Sequence, residues 1–287
     1  MKTKSFTLID LLVVIVIIGI LAGVIIVSTS SSISKANFAK AQAFSNTVQQ
    51  ELLLNLVSEW TFDEDPIGTA KDTWGNNNGT LYGANGLPQL QTKENCVYGT
   101  CYLFDGVDDY IDCGNKTDYN FANINHSLSF WVNANEDSSH TQYLLNRRVA
   151  GTPGSGYTIY IYTNNYIRYE ERVAVAVPSL MSDFSKLYNS WHFVFATTDI
   201  AFKERKFYID GKKVDENTYT GDLIESNISL YLGGTYSGLL DDVRIYNGTI
   251  SSSQIKQEYI AGLNSLLVNG SISNEEYNQR ISNIANY

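Results

Sequence analysis

Several classes of protein are excluded by what the sequence lacks. The 287 residues contain 20 Lys and Arg against 30 Asp and Glu, a net charge of -10, and no basic stripe, so we expect no nucleic-acid partner. No Gly-x-Ser-x-Gly elbow, phosphate loop, zinc-ligand spacing or Glu-x-Asp-x-(x)-Glu carboxylate string occurs. His126, His140 and His192 are isolated in the sequence. We therefore do not expect an enzyme.

Charge is almost absent from residues 5–34, where Asp10 is the one charged side chain. The apolar run from Leu11 to Val27, with Phe6 to Ile9 before Asp10, reaches about 33 Å as a helix, which is enough to cross a bilayer. A carboxylate in hydrocarbon costs roughly 2.5 to 3.5 kcal/mol, so Asp10 is predicted to have a function. Lys2 and Lys4 place the N-terminus in the cytoplasm.

The segment Lys4-Ser-Phe-Thr-Leu-Ile-Asp-Leu-Leu-Val-Val-Ile15, followed by Gly19, resembles the type IV pilin and pseudopilin signal. This resemblance implies that prepilin peptidase cuts between Ser5 and Phe6 and that Phe6 is then methylated. It makes Phe6, Asp10 and Gly19 assembly residues, with Asp10 pairing with the N-terminal amine of a neighbouring subunit. Ser5 stands where Gly is usual, and Asp10 where Glu is usual.

The same resemblance implies a location and a set of partners. The precursor is expected in the bacterial inner or cytoplasmic membrane, in contact with lipid, and the mature chain in an extracellular filament on the cell surface. Its partners would be identical or related pilin subunits, prepilin peptidase and the pilus assembly machinery. A plain membrane anchor and an ordinary signal peptide are the alternatives for this segment.

Apolar residues at helical spacing continue beyond the membrane run, with no Gly or Pro from residue 33 to 57. They are Ala41, Phe44, Val48, Leu52 and Leu56. We assign residues 1–5 to a leader, 6–57 to a transmembrane and assembly helix, 58–250 to a globular head and 251–287 to a C-terminal helical hairpin.

Short alternating segments between Gly, Asn and Asp turns fill the head and predict antiparallel strands. Trp60-Thr-Phe-Asp-Glu64, Phe104-Asp-Gly-Val-Asp-Asp-Tyr-Ile111 and Leu240-Asp-Asp-Val-Arg-Ile-Tyr-Asn247 occur in an order that resembles laminin-G-like, concanavalin A-like jelly rolls. The predicted fold class is α+β: a long N-terminal hydrophobic helix, an antiparallel β-sandwich and a short C-terminal helical hairpin.

One structural calcium ion is expected in the head, because many members of the similar family hold one. Asp72, Asn76 and Asn78 lie in or beside an Asn/Gly-rich turn that offers hard oxygens. Asp241 shares parity with Val243 and should point into the sandwich, where it needs a partner. The alternative is that Asp241 caps backbone amides and Asp72 forms an Asx turn.

Three cysteines suit an extracellular domain. Cys96 and Cys101 bracket a turn, so a disulfide there would close a short loop. Cys113 is left over and shares parity with Ile111, which favours a buried thiol.

Exposed aromatics are the candidates for ligand contact. If Ile159 and Ile161 face inward, then Tyr160 and Tyr162 share the other face, followed by Tyr166 and Arg168. Such a face could stack on a glycan, although Tyr also serves as sheet cover or subunit contact.

The C-terminal residues change to helical spacing. Ile255, Tyr259 and Leu263 precede a break at Asn269-Gly270, after which a capping box at Ser273 to Glu276 opens a second helix. This hairpin resembles short hairpins appended to bacterial proteins and sometimes linked to oligomerisation; the alternative is a hairpin packed on its own domain.

These observations combine into a functional prediction. The chain is expected to be a structural subunit of a type IV pilus-like filament, with a head used for adhesion or glycan binding. The alternative is a monomeric, membrane-anchored, carbohydrate-binding surface protein.

Overall fold

Two antiparallel sheets with a shared core make up most of the described part of the chain. The computed structural model describes residues 53–63, 67–137, 139–149, 154–173 and 179–285. Contacts divide the chain into a unit of Met1–Glu51 and a unit of Leu52–Tyr287, and both sheets belong to the second unit.

The first sheet, sheet A, has the order β14-β13-β12-β7-β16-β5-β4, and β1 also pairs with β16. Its strands are β1 (Leu56–Trp60), β4 (Gln89–Gln91), β5 (Cys101–Asp105), β7 (His126–Ala134), β12 (His192–Asp199), β13 (Glu204–Ile209), β14 (Lys212–Thr218) and β16 (Ser237–Tyr246).

The second sheet, sheet B, has the order β11-β10-β9-β8-β15-β6-β3-β2. Its strands are β2 (Thr69–Ala70), β3 (Gly79–Tyr82), β6 (Tyr110–Asp112), β8 (Gln142–Asn146), β9 (Tyr157–Ile161), β10 (Tyr166–Glu171), β11 (Leu180–Asp183) and β15 (Tyr231–Gly233). Sequential strands lie in different sheets at several points, as a jelly roll requires.

The core lies between the sheets and follows the alternation of the strands. Phe130 and Val132 of β7 pack in one buried cluster with Ile159 and Ile161 of β9 and Leu232 of β15. Residues of opposite parity point away from the core. In β3 and β10 those outward residues are exposed or half-buried, whereas in β7 and β12 nearly every residue is buried.

Burial on both faces of sheet A has a specific cause, which is a helical hairpin on its outer side. Its helices are α1 (Ser252–Val268) and α2 (Asn274–Ala285). Tyr259 of α1 stacks on Trp131 of β7 with ring centroids 5.6 Å apart, and Gly262 lies against the same indole. The hairpin therefore packs on its own domain, which was one of the two arrangements left open by the sequence.

The hairpin also holds the disulfide loop. Cys96 and Cys101 form a disulfide with their Cα atoms 5.5 Å apart. The Asn269 side chain at the end of α1 donates to the Cys96 carbonyl at 2.7 Å, and the Ser265 hydroxyl donates to the Val97 carbonyl at 2.6 Å. Cys113 is a buried free thiol whose pKa is raised by burial.

The predicted fold class, α+β with a long N-terminal hydrophobic helix, is wrong for the described residues, which form a mostly β sandwich with two short C-terminal helices. The predicted helix 6–57 overlaps this part only at its end. There Leu53 and Leu54 are helical, but Leu56 begins β1 and pairs with Tyr246. A buried apolar residue such as Leu56 is compatible both with the apolar stripe of a helix and with the inward face of a strand. Spacing alone therefore could not distinguish helix from strand at this position.

The predicted location, an inner or cytoplasmic membrane precursor followed by an extracellular filament, is also corrected. None of the helices in the described ranges is long and apolar enough to cross a membrane. The longest, α1, has 17 residues and carries Lys256 and Glu258. The positions Ser5, Phe6, Asp10 and Gly19 lie outside the described residues, and their roles stay predictions.

Gly262→Ala tests the packing of the hairpin. Helix propensity alone predicts a gain of about 1 kcal/mol for Gly→Ala, but a Cβ at this position would overlap the Trp131 ring. We expect a net loss of about 1 to 3 kcal/mol from overpacking, measured by chemical unfolding. Asn278→Ala, at an exposed position of α2, is the control and should change stability by less than about 0.5 kcal/mol. A stabilised Gly262→Ala protein would contradict the packing.

Candidate functional site

The outer face of sheet B carries tyrosines on strands distant in sequence. Because Leu81, Ile111, Ile159, Ile167 and Leu232 point into the core, the tyrosines of opposite parity point outward. We call this surface the tyrosine face, and it comprises Tyr82, Tyr110, Tyr143, Tyr160, Tyr162, Tyr166 and Tyr231.

Three of these rings form a continuous group on β3, β6 and β15. Tyr82 stacks on Tyr110, directly opposite in the ladder, with centroids 5.1 Å apart and an interplanar angle of 16°. Tyr231 meets the edge of Tyr110 at 5.6 Å. Tyr82 is 43% exposed, so ring surface remains open to solvent.

A second group lies across β8, β9 and β10. Tyr160 contacts Tyr143 at 5.8 Å and Tyr162 at 6.2 Å between centroids. The Arg168 guanidinium carbon lies 4.6 Å from the centre of the Tyr162 ring, a cation–π distance. Tyr166 is 36% exposed at the start of β10. The structure therefore brings together Tyr160, Tyr162 and Arg168 and places Tyr166 on the same face.

A single carboxylate, Glu170, organises the polar part of this second group. Its Oε1 accepts hydrogen bonds from the Tyr160 hydroxyl at 2.6 Å and the Ser179 hydroxyl at 2.7 Å. Its Oε2 lies 2.9 Å from the Arg148 guanidinium and 3.9 Å from that of Arg172. Burial, followed by the hydrogen bond to Glu170, raises the pKa of Tyr160, which therefore stays a neutral donor.

Sequence reasoning found the Tyr160 group and missed Tyr82, Tyr110, Tyr143 and Tyr231. The signal was present for three of them, because Tyr82, Tyr110 and Tyr231 each adjoin an apolar residue that points inward. Strands of three or four residues give too few alternations to be assigned from pattern alone. Tyr143 lies next to a register shift between β8 and β9, which pattern reading does not detect.

The carboxylate of Asp72, one of the predicted calcium ligands, accepts hydrogen bonds from backbone amides. Its Oδ1 accepts N–H bonds from Glu59, Trp74 and Gly75 at 2.8 to 3.1 Å, and its Oδ2 accepts one from Asn77. The Asn78 side-chain oxygen accepts the N–H of Asp72 at 2.9 Å. Asn76 is exposed. This is the Asx-turn arrangement that the sequence left as an alternative.

Asp241 holds a different loop. Its Oδ2 accepts the N–H groups of Val97 and Tyr98 at 2.9 and 3.0 Å, inside the disulfide loop, while its buried Oδ1 has no hydrogen-bond partner in the described structure. Burial, with the neighbouring Asp242, raises the pKa of Asp241 well above its usual range. Asp72 and Asp241 thus serve separate loops. Calcium binding by Asp72, Asn76, Asn78 and Asp241 stays a prediction.

Another acidic group shapes the turn between β5 and β6. Carboxylate oxygens of Asp105, Asp108 and Asp109 lie within 4.8 Å of one another. Asp109 accepts the N–H of Asp105, and Asp105 accepts that of Val107. Burial and the neighbouring carboxylates raise the pKa of Asp109. These hydrogen bonds stabilise the folded turn between β5 and β6.

The histidines occupy structural positions. His126 is buried with its Nε2 2.5 Å from Glu171, and Thr198 donates to the same carboxylate at 2.7 Å. His192 lies 2.7 Å from Asp210, which also accepts the Phe193 N–H. Each pair ties together neighbouring segments of the sandwich.

Two antiparallel sheets packed around a shared core define the domain as a jelly roll. A sequence profile described as the concanavalin A-like lectin/glucanases superfamily, of laminin-G type, matches residues 105–256. This match spans more than half of the chain, so the chain belongs to that family, and the predicted jelly roll is confirmed. None of the curated proteins matches the chain.

Solved structures with the same fold include glycan-associated proteins. The receptor-binding domain of botulinum neurotoxin mosaic serotype C/D is 17% identical, with a TM-score of 0.59 over 74% of this chain and 52% of that chain. The serotype D ligand-binding domain in complex with N-acetylneuraminic acid is 17% identical, with a TM-score of 0.60 over 75% and 53%. Trypanosoma rangeli sialidase in complex with sialic acid is 17% identical, with a TM-score of 0.55 over 72% and 33%.

These likenesses show the fold alone. The present chain spans about half the length of the neurotoxin domains and a third of the sialidase. Neither the family match nor the similar structures support the predicted role as a pilus subunit or its pilin partners.

Asp242 provides a pH-dependent test of the region beside Asp241. Burial, opposed by Arg244 at 3.1 Å, raises its pKa from 3.8 to about 7. The folded protein therefore keeps a proton that the unfolded chain releases, so this stabilising contribution is present below about pH 4 and is lost as pH rises through 7. Asp242→Asn suits the positive φ of 50° and should reduce the loss of stability between pH 5 and pH 8 by on the order of 2 kcal/mol.

Thermal unfolding at pH 5, 6, 7 and 8 measures this effect. Asp222→Asn is the matched control, because it removes the same charge from a carboxylate whose side chain is 91% exposed. Its pH profile should run parallel to that of the unmodified protein. A parallel profile for Asp242→Asn as well would contradict the raised pKa.

Proposed function

We propose that this domain binds carbohydrate on the tyrosine face of sheet B. The observation that carries the proposal is the two ring groups, Tyr82–Tyr110–Tyr231 and Tyr143–Tyr160–Tyr162, on one outer face. Aromatic rings bury apolar area and present a polar hydroxyl at the edge. That combination suits the alternating apolar and hydroxylated surfaces of a sugar ring.

The availability of this face supports the proposal. On sheet A, Trp131 and its outward neighbour Phe193 are 1% and 2% exposed beneath the hairpin. On sheet B, Tyr82, Tyr162 and Tyr166 are 36% to 43% exposed. From β3 to β10 the face crosses six adjacent strands, about 24 Å at roughly 4.8 Å per strand. A glycan of several sugar units fits that length.

Similar proteins support the ligand class. The family description includes lectins, and two structures with this fold were determined with N-acetylneuraminic acid or sialic acid bound. We extend that ligand class, a glycan, to this chain.

The proposed role is binding without catalysis. Hydrolysis of a glycoside uses two carboxyl groups flanking the scissile bond, one of which must donate a proton. On the tyrosine face both oxygens of Glu170 already have partners, in Arg148, Arg172 and two hydroxyl donors. This arrangement supports a structural role for Glu170.

Removing exposed rings tests the proposal. Tyr82→Ala and Tyr162→Ala, made separately in the full-length chain, should each weaken binding to the best ligand on a glycan array by roughly fivefold to tenfold, about 1 kcal/mol of stacking per ring. Tyr82→Phe and Tyr162→Phe keep the ring and should lose less.

Phe202→Ala is the matched control, since Phe202 is a 78% exposed aromatic in the turn after β12 of sheet A. Its affinity should equal that of the unmodified protein. Equal affinities for all of the alanine variants would place the ligand elsewhere, and absence of binding to every glycan would refute the proposal.

A further inference from the structure

Three arginines are gathered around one carboxylate on the β8–β10 part of the tyrosine face. The whole sequence has a net charge of -10, yet Arg168 of β10, Arg148 just after β8 and Arg172 just after β10 lie around Glu170. The other carboxylates of this face, Asp112 and Asp183, lie on β6 and β11, and neither is within 4 Å of these guanidinium groups. Guanidinium groups gathered around a single carboxylate repel one another, so a further anion beside them would be favourable.

Arg168 is the member of the cluster without an ion pair. Glu170 lies within 4 Å of Arg148 and Arg172, whereas no carboxylate among the described residues lies that close to Arg168. Its contacts are the Tyr162 ring and the Tyr160 hydroxyl. Its half-buried side chain is therefore held in place by aromatic groups and makes no ion pair within 4 Å among the described residues.

The acidic side chains on neighbouring strands are directed at backbone amides. Asp183, which ends β11, accepts the N–H of Ser185 at 2.9 Å. Asp215 of β14 accepts the N–H of Met181 at 2.9 Å. Across the ladder, Arg168 faces Tyr160 of β9 on one side and Met181 of β11 on the other. Asp183 and Asp215 therefore make no ion pair within 4 Å of Arg168.

Three hydrogen-bond donors of the arginine cluster also lack a partner among the described residues. The Nε atoms of Arg148, Arg168 and Arg172 are buried and have no hydrogen-bond partner in the described part of the chain. An Arg side chain presents its donors as a planar fork, which matches the oxygens of an anionic group. Because these Nε atoms are buried, an anion would meet the terminal nitrogens of the half-buried Arg168 fork beside the Tyr162 ring.

We propose that the glycan bound on the tyrosine face is acidic and that Arg168 pairs with its anionic group. This inference rests on the proposed function, which supplies the stacking surface. The sugar rings lie on the tyrosines, while a carboxylate or sulfate on one sugar meets the Arg168 guanidinium beside Tyr162. The two acidic groups share this recognition chemistry, and Arg168 acts as the specificity-determining residue.

A glycan array with matched pairs tests the proposal in the full-length chain. Lactose, 3′-sialyllactose and 3′-sulfolactose share one core and differ in the acidic group, and further neutral, carboxylated and sulfated pairs extend the set. The acidic members should bind at least about tenfold more tightly than their neutral partners. The advantage should shrink as ionic strength rises, because salt screens charge pairing at a surface.

Variants assign the preference to Arg168. Arg168→Gln should abolish the acidic advantage and leave affinity for neutral glycans within about twofold, whereas Arg168→Lys should retain part of the advantage because it keeps the charge without the planar fork. Lys206→Gln, which removes one positive charge from β13 of sheet A, is the control and should keep the full advantage. Thermal unfolding of each variant verifies that the domain is folded.

The outcomes separate the two proposals. Binding of neutral and acidic partners with equal affinity, or a preference that survives in Arg168→Gln, overturns the acidic-glycan inference and leaves carbohydrate binding intact. Binding to no glycan overturns both. A preference for carboxylated over sulfated members, or the reverse, supports the inference and identifies the acidic group.

Discussion

The contact between the helical hairpin and sheet A determines which surface of the molecule is open. Tyr259 stacks on Trp131 and Gly262 allows α1 to approach the same indole, so an aromatic face that would otherwise meet water is buried. Burying each large apolar side chain contributes about 1.5 to 3 kcal/mol. Since the hairpin also binds the disulfide loop through Ser265 and Asn269, one interaction stabilises both the sheet and the adjoining loop.

Local pattern was enough to predict the sandwich but not its short strands. Short alternating segments predicted antiparallel strands in the head, and parity placed Tyr160 and Tyr162 outward on one face. The group around Tyr110 depends on pairing between β3, β6 and β15, which short segments do not specify. The predicted helix was extended past Leu56 for a related reason. An apolar residue is expected both on the inward face of a strand and in the apolar stripe of a helix.

The acidic positions show a different limit of sequence reasoning. Carboxylates near Asn/Gly-rich turns are typical of both calcium sites and backbone caps. Asp72 was a candidate calcium ligand because it lies beside an Asn/Gly-rich turn, and Asp241 because its parity points it into the sandwich. Both carboxylates accept backbone N–H groups, on separate loops. Only the three-dimensional placement of those amides distinguishes the two roles. The same holds for Arg168, whose lack of an ion pair depends on where Glu170, Asp183 and Asp215 point.

The candidate binding face is a product of long-range strand pairing. Tyr82 and Tyr231 reach the same group of rings although 149 positions separate them in the sequence, and Tyr160 and Arg168 are aligned by the β9–β10 register. No single hairpin contains the whole face. A ligand that spans it therefore binds only the closed sandwich, and by mass action such a ligand raises the stability of the domain as a unit. The proposed glycan recognition and cooperative folding would in this way depend on the same strand registers.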